Sequence, residues 1–398
     1  MPQYITAGES HGQGLVALIE SFPAGIPISL KEINHQMFRR QQGFGRGQRM
    51  KIEADKVKIL SGIRNSKTLG SPISMFITNK DWVNWRKIMH PDNPVSKKLS
   101  PAQKKRAYDV TAPRPGHTDL AGAIKYDTKD LRNVLERSSA RETAARVACG
   151  SVARQLLEQF SIKIASHVIS IGKGTLKKKK LSFDDIYLNA DSSPVRCVNK
   201  EAEKSMIDAI KEARKKQDTL GGVFEVRITG LPIGLGGNAQ WYNRLDANLA
   251  QAFMSIQSVK GVEIGEAFTN AAKFGSQVHD SIYFNEKQTG NQSKGFWRKT
   301  NAAGGIEGGL SNGADIIIRA ACKPISTLMK PLNTIDVKSK KDTLAMIERS
   351  DICVIPAAAV VGEAMAAMVV SECFLNKFGG DSFNEIRDNF RGYLEREF

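Results

Sequence analysis

The chain lacks the marks of a secreted, zinc-bound or membrane-spanning protein. Its five cysteines (Cys149, Cys197, Cys322, Cys353 and Cys373) are odd in number and scattered through 398 residues. They form neither the close pairs of a zinc site nor a secreted disulfide framework, so no metal is expected and a reducing, cytoplasmic compartment fits. Uninterrupted apolar runs stay short of the roughly 18 residues that a spanning helix needs. The opening MPQYITAGESHGQG carries no basic segment leading into an apolar one, so a soluble, unprocessed chain without a membrane partner is expected. No dinucleotide fingerprint, Walker sequence or repeat at a solenoid period occurs.

Acidic residues are also in short supply, with 41 Asp and Glu against 58 Lys and Arg and a formal charge of +17. Such an excess favours an anionic partner: nucleic acid, an acidic membrane surface or a small polyanion. Nucleic acid is disfavoured because the lysine runs, LKKKKL at 176–181 and KKLSPAQKKR at 97–106, are not interleaved with aromatics. They read as solvated surface loops. The apolar content of 41% over this length permits a sizeable core in one large domain or two ordinary ones.

Helix signals are strongest in four segments. SLKEINHQMFRRQ and SSARETAARVACGSVARQLLEQF each open on the spacing of a capping box, Ser29 with Glu32 and Ser139 with Glu142. RLDANLAQAFMSIQSV carries an apolar stripe, and the helix opening at Pro356 and closing at Gly379 is apolar nearly all round, which predicts burial. Strands are expected at 56–60, 72–78, 163–172, 222–230 and 314–322, where β-branched runs are bounded by turn residues. Without a regular βαβ rhythm, the pattern suggests an α+β fold.

Several loops could carry chemistry. Arg137, Ser138 and Ser139 precede the free N–H groups of a helix start, a ready anion site, although an ordinary capped helix would look the same. FRRQQGFGRGQRMK strings Arg39, Arg40, Arg46, Arg49 and Lys51 through a glycine-rich loop, and arginine forks match phosphate or carboxylate oxygens; a mobile basic turn would read no differently. GGIEGGLSNGAD and CKPISTLMKPL, with Lys323, Ser326 and Thr327 after a strand, share that style. His11 in GESHG and His117 in RPGHTD lie in loops of turn residues, where an imidazole is able to transfer a proton near neutral pH or to satisfy a loop carbonyl. Arg349 and Asp351 lead into the apolar helix as a structural salt bridge or as part of a site.

Taken together, AGESHG, QGFGRGQRMKIE, RPGHTDLAGAIKY, DLRNVLERSSARETAARVACG, MSIQSVKGVEIG, GGIEGGLSNG, RAACKPISTL and ERSDICVIPAAAVVGEA resemble the chorismate synthase family, in its order and from end to end. The resemblance implies anti-1,4 elimination of phosphate from 5-enolpyruvylshikimate 3-phosphate to give chorismate. It requires reduced FMN without net oxidation, the flavin lending an electron and taking it back. It further implies flavin contacts at Arg137, Ser138, Ser139, Gln257, Ser258, Gly308, Lys323, Pro324, Ile325, Ser326, Thr327 and Arg349. Arg40 and Arg46 match arginines tied to nicotinamide nucleotide or substrate anions. His117 resembles the histidine that protonates reduced flavin, His11 the one that assists the departing phosphate, and Asp351 the carboxylate that helps collect the substrate's proton through flavin N5.

The family's fold is a single domain, here 1–398, in which a helical layer lies between two antiparallel sheets as a β-α-β sandwich; it assembles as a homotetramer. The apolar segments at 139–160, 244–259 and 356–378 suit such a layer. No reductase domain is visible, so reduced flavin is expected from an external flavin reductase, with NADPH at most an indirect reductant. An ordinary flavin oxidoreductase with hydride transfer is the alternative. Two departures stand out: Gln42 replaces the first glycine of the family's GGYGRG-type loop, with Phe44 as its aromatic, and Ser326 replaces a proline in KPIPT.

Overall fold

The computed structural model describes residues 2–47, 54–92, 99–177, 181–288, 292–348 and 351–396. The elements that position the site are, in chain order, β1 (Gln3–Ala7), β2 (Gly14–Glu20), α1 (Leu30–Gln41), β3 (Val57–Ser61) and β4 (Ile73–Thr78). Next come α2 (Asp119–Lys125), α3 (Arg132–Ser138), α4 (Thr143–Glu158), β5 (Lys163–Ile171), β6 (Gly174–Thr175), α5 (Lys200–Lys215) and β7 (Gly222–Thr229). The chain closes with α6 (Leu245–Met254), β8 (Val259–Ile264), β9 (Ile316–Cys322), α7 (Ile355–Phe378) and α8 (Phe383–Glu395).

Helix and antiparallel sheet are mixed, as the sequence suggests. One sheet runs β1-β2-β4-β3 and the other β8-β9-β7-β5-β6, with antiparallel pairing throughout. Alternation sets which face each strand buries. Leu15, Ala17 and Ile19 of β2 and Ile73, Met75 and Ile77 of β4 are wholly buried on one face, whereas intervening positions are half-exposed. Each leucine, isoleucine or methionine among them contributes about 1.5–3 kcal/mol on burial.

Helix α4 packs on that first sheet and on α7, and α7 packs in turn on β5 and β7 of the second. The apolar circumference of α7 follows from having neighbours on every side. Although α7 is long and apolar enough to cross a membrane by length and composition, most of it is buried inside the protein. Small residues let these layers close. A Cβ at Gly150 of α4 would lie 2.5 Å from Cα of Ala364, and one at Gly362 would lie 2.7 Å from the Phe224 ring of β7.

One charge interrupts this core. Glu363 of α7, 2% exposed, accepts from Arg39 of α1, Arg154 of α4, Arg196 and the Ser166 hydroxyl of β5. Burial resists its ionisation, but the arginines prevail and hold the carboxyl far below the usual range.

Five local expectations need correction. Ser139 caps the N–H of Arg141, while the Glu142 carboxylate accepts from Thr6, Arg146 and Gln257, so tertiary partners displace the capping box. At Ser29 the hydroxyl accepts from Glu32, yet the Glu32 carboxylate goes to Gln36, leaving half a box. Helix α6 stops at Met254, and Ser258 adopts φ 72° before β8 begins. Part of the 97–106 stretch is helical, from Pro101, with Ser100 and Gln103 forming a capping box. The opening residues form β1 and β2, which were not expected as strands.

Candidate functional site

A cavity of about 530 Å³ opens where the N-terminal end of α7 meets loops from both sheets. This lies in the size range of sites for cofactor-sized ligands. Helix α1 delivers Arg40 and the loop after it Arg46; the α3–α4 junction delivers Ser138 to Arg141, and the turn after α6 brings Ile256, Gln257 and Ser258. The loop after β9 contributes Lys323, Ile325, Ser326 and Thr327, and the segment before α7 brings Glu348 and Asp351. His11 and His117 complete the lining.

Basic groups are held by buried carboxylates rather than left to solvent. Asp55, fully sequestered, accepts from Arg40 Nη2 at 2.7 Å and from Arg141 Nη1 at 2.6 Å. Burial pushes the Arg40 guanidinium down to about 10 against the pull of Asp55, with Arg141 and Arg46 adding to the depression. Burial also opposes the charge on Asp55, yet Arg40 and Arg141 keep its pKa below the ordinary value. Arg46 pairs with Asp351 at 3.1 Å, and the other Asp351 oxygen accepts the Gly47 N–H at 2.5 Å. The backbone of Gly45, at φ 92°, accepts the Ile352 N–H at 2.8 Å, so the glycine loop is stitched to the segment before α7.

His117 is fixed by its own turn. Its N–H closes on Arg114 O at 3.1 Å over Gly116, whose φ of 76° favours glycine. The imidazole Nδ1 lies 2.5 Å from Asp119 Oδ1, and Arg114 grips the other Asp119 oxygen through Nε at 2.9 Å. Arg114 also donates to Thr327 and Glu348, and Lys323 Nζ donates to Gly116 O at 2.5 Å, which ties three loops together. Burial, then Lys260, lowers the Lys323 pKa.

His11 is held in a similar way from α3. Its backbone N–H donates to Glu136 Oε2 and its Nδ1 meets Oε1, both at 2.8 Å. The ring stacks on Trp85 with centroids 4.0 Å apart.

The sequence-selected residues are only partly united here. His11, His117, Asp351, Arg40, Arg46, Ser138, Ser139, Gln257, Ser258, Lys323, Ile325, Ser326 and Thr327 share the cavity. Arg137 does not: it donates to Gly8 O, Thr6 O and the Thr6 hydroxyl beside a neighbouring depression. Its helical turn carries it away from Ser138. Pro324 falls between lining residues, Gly308 sits in the turn joining Ile306–Glu307 to Leu310–Ser311, and Arg349 lies outside the described residues. Arg49 and Lys51 lie outside them too.

Sequence reading passed over Ser10, Arg114, Thr118 and Glu348 as lining residues, and Asp119 and Glu136 as histidine partners. RPGHTD did hold a signal, since Arg114 and Asp119 flank His117. Glu348 and Glu136 are distant in sequence from what they serve and gave none. Gln42 faces outward and donates to Phe38 O, while the Phe44 ring lies under the Arg214 guanidinium at 5.7 Å.

The residues present suit an anionic aromatic cofactor. The pocket joins apolar walls from Ile256, Ala357, Ala358 and Val361 to a cationic floor, and Gln257 Oε1 and Arg40 Nε are buried without a hydrogen-bond partner among the described residues. Such atoms are ready to bond a ligand.

Comparison with known proteins places this arrangement. A family model described as chorismate synthase matches residues 3–375. A chorismate synthase of Alkaliphilus metalliredigens is 53% identical over 393 residues, covering 99% of both chains. That of Solibacter usitatus is 51% identical over 398 residues, covering 100% of this chain and 99% of the relative. A crystal structure of chorismate synthase superposes with a TM-score of 0.77 at 40% identity, covering 99% of this chain and 97% of that one.

Proposed function

Since the chain belongs to the chorismate synthase family, we propose that it catalyses the anti-1,4 elimination of phosphate from 5-enolpyruvylshikimate 3-phosphate, yielding chorismate. The observation that carries this reading is the convergence of five cations, two imidazoles and Asp351 on one cavity.

The substrate bears a phosphate and two carboxylates. Arg40, Arg46, Arg114, Arg141 and Lys323 supply fixed counter-charge, and the carboxylates that pair with the four arginines keep their forks oriented before a ligand arrives. His11 is placed to hand a proton to the departing phosphate, because Glu136 and Trp85 fix its ring. Asp351, anchored by Gly47 and Arg46, is the carboxylate available to collect the proton lost from the substrate ring. His117 serves as the proton donor on the cofactor side. When bound, reduced FMN supplies transient electron donation without net oxidation. Ser138, Ser139, Gln257, Ser258 and the 323–327 loop would hold it; the buried Gln257 Oε1, which has no hydrogen-bond partner among the described residues, supports this. The apolar α7 end lines the cavity beside the reacting groups, and dry walls of this kind limit the access of water.

We read the whole chain as one domain, a helical layer between the two sheets, because one hydrophobic cluster runs from Leu15 to Phe390 through both sheets and the helices. Assembly as a homotetramer, a cytoplasmic location and supply of reduced flavin by an external reductase belong to the same proposal. Its test is anaerobic incubation of the purified chain with substrate and either photoreduced FMN or oxidised FMN plus NADPH. Chorismate in the first mixture and none in the second is expected. Product in neither would refute the activity, and steady production in the second would refute the external reductant.

A further inference from the structure

Just past the end of β4, one buried amide joins two parts of the cavity wall that are far apart in sequence. Asn79, 1% exposed, donates from Nδ2 to Glu9 O at 3.1 Å and to Gly12 O at 2.9 Å, and its Oδ1 accepts from Arg141 Nε at 3.0 Å. Its backbone is fixed as well. The N–H donates to Gln13 O, continuing the pairing of β2 with β4, and the carbonyl accepts from the Trp82 N–H, both at 3.1 Å. Asn79 is not one of the residues that line the cavity, whereas Ser10, His11 and Arg141 are.

The amide has a single workable orientation. Turned over, it would set Oδ1 against two carbonyls and the NH₂ group against a guanidinium, so every donor and acceptor would be mismatched. Glu9 O and Gly12 O bracket Ser10 and His11, and the Gly12 N–H also donates to Glu9 O at 3.2 Å, so the two donations close the turn that presents those side chains. Glu136 grips the same turn through the Ser10 and His11 N–H groups. On the other side of the amide, Asp55 takes Arg141 Nη1 while Asn79 takes Nε, which fixes the plane of the guanidinium.

We propose that Asn79 is a positioning residue that couples the turn carrying Ser10 and His11 to Arg141, holding a proton donor and an anion-binding fork at one spacing. Two donors and an acceptor on a short stem suit asparagine: aspartate only accepts, and serine has a single donor. Because misplacing a reacting group by about 1 Å costs about 10²-fold in rate, a residue that touches no ligand still governs turnover. The inference rests on the reading of His11 as the proton donor to departing phosphate and of Arg141 as counter-charge for the substrate.

The test is anaerobic turnover with photoreduced FMN. Asn79→Ala should lower kcat about 100-fold and raise KM for 5-enolpyruvylshikimate 3-phosphate about 2- to 10-fold, the scale of one lost hydrogen bond. Crossed double variants should separate the two effects. In an Arg141→Lys background, which keeps a cation beside Asp55 but lacks the Nε–H, Asn79→Ala should no longer raise KM yet should still lower kcat. In a His11→Ala background it should still raise KM and lower kcat little further. A residue serving stability alone would act alike in every background, so additive losses in both cycles, or unchanged kcat and KM in Asn79→Ala, would overturn the proposal. Asn79→Asp keeps an acceptor for Arg141 and forfeits both donations, so it should also lose about 100-fold in kcat. Full turnover in that variant would overturn the proposal even if Asn79→Ala failed to fold. Absence of turnover in the unaltered chain would instead strike at the functional reading. The Arg141 arm is then read as the dissociation constant of inorganic phosphate, which Asn79→Ala should raise in the unaltered background but not in Arg141→Lys; an equal rise in both would overturn the coupling.

Discussion

Arg39 and Glu363 meet through two parallel hydrogen bonds of 2.6 and 3.0 Å in the middle of the fold, while Arg40, one residue on, turns the other way into the cavity. One helix end therefore serves the core and the site together. Arg154 and Arg196 share the same glutamate. Glu363→Gln would leave these arginines without their common counter-charge, and removing one partner of a buried ionic cluster costs about 3–5 kcal/mol. A large fall in the urea midpoint is expected; a change within error would mean that Asp191 and Glu158 suffice.

The same carboxylates fix the direction of the pH dependence. Glu363, Asp55, Asp119 and Glu225 are all depressed by hydrogen bonds and basic neighbours that outweigh burial. Each binds fewer protons folded than unfolded, so its stabilisation is complete above the unfolded carboxylate value of about 4 and is lost as pH falls towards the folded one. Urea midpoints should be flat from neutral pH to about 5 and drop steeply below about 4. A midpoint that held level through that acid range would contradict the assignment.

Close approach of α4 and α7 gives a sharper local test. Gly150→Ala puts a methyl 2.5 Å from Ala364 backbone, whereas Gly392→Ala, on exposed α8, meets nothing within 4 Å. The first should lower stability by about 1–3 kcal/mol. The second should raise it by about 0.5–1 kcal/mol. Equal melting temperatures for the two would show that the layer can open to admit the methyl.

Legibility in the sequence followed the range of the interaction. The long apolar helix, the strands at β4, β5, β7 and β9 and the loops carrying His11, His117 and Lys323 were readable because neighbouring residues decide them. Ser139 and Glu142 misled because Glu142 is claimed by Thr6, Arg146 and Gln257, which only tertiary contact brings near. For the same reason Glu136 went unnoticed, 125 residues from His11. The conversion of 256–258 from helix into a cavity turn depends on β8 pairing with β9, a non-local event.

Turnover and anchoring should separate at two residues. His117→Ala and Asp351→Asn are each expected to cut kcat by about 10²- to 10⁴-fold, the range of general acid–base catalysis. Flavin affinity should persist, since asparagine still accepts the Gly47 N–H and, among the described residues, the His117 ring bonds only to Arg114 and Asp119 of its own turn. Titration of reduced FMN beside single-turnover kinetics decides this; loss of binding in step with rate would make both residues structural.

The central claim meets its most direct test in the stoichiometry of one anaerobic reaction. Purified protein, photoreduced FMN and 5-enolpyruvylshikimate 3-phosphate should release phosphate and chorismate in equal amounts while the flavin ends as reduced as it began. Phosphate without chorismate, or flavin oxidised in proportion to product, would mean that the cavity runs a hydrolysis or a redox reaction and that the elimination is wrongly assigned.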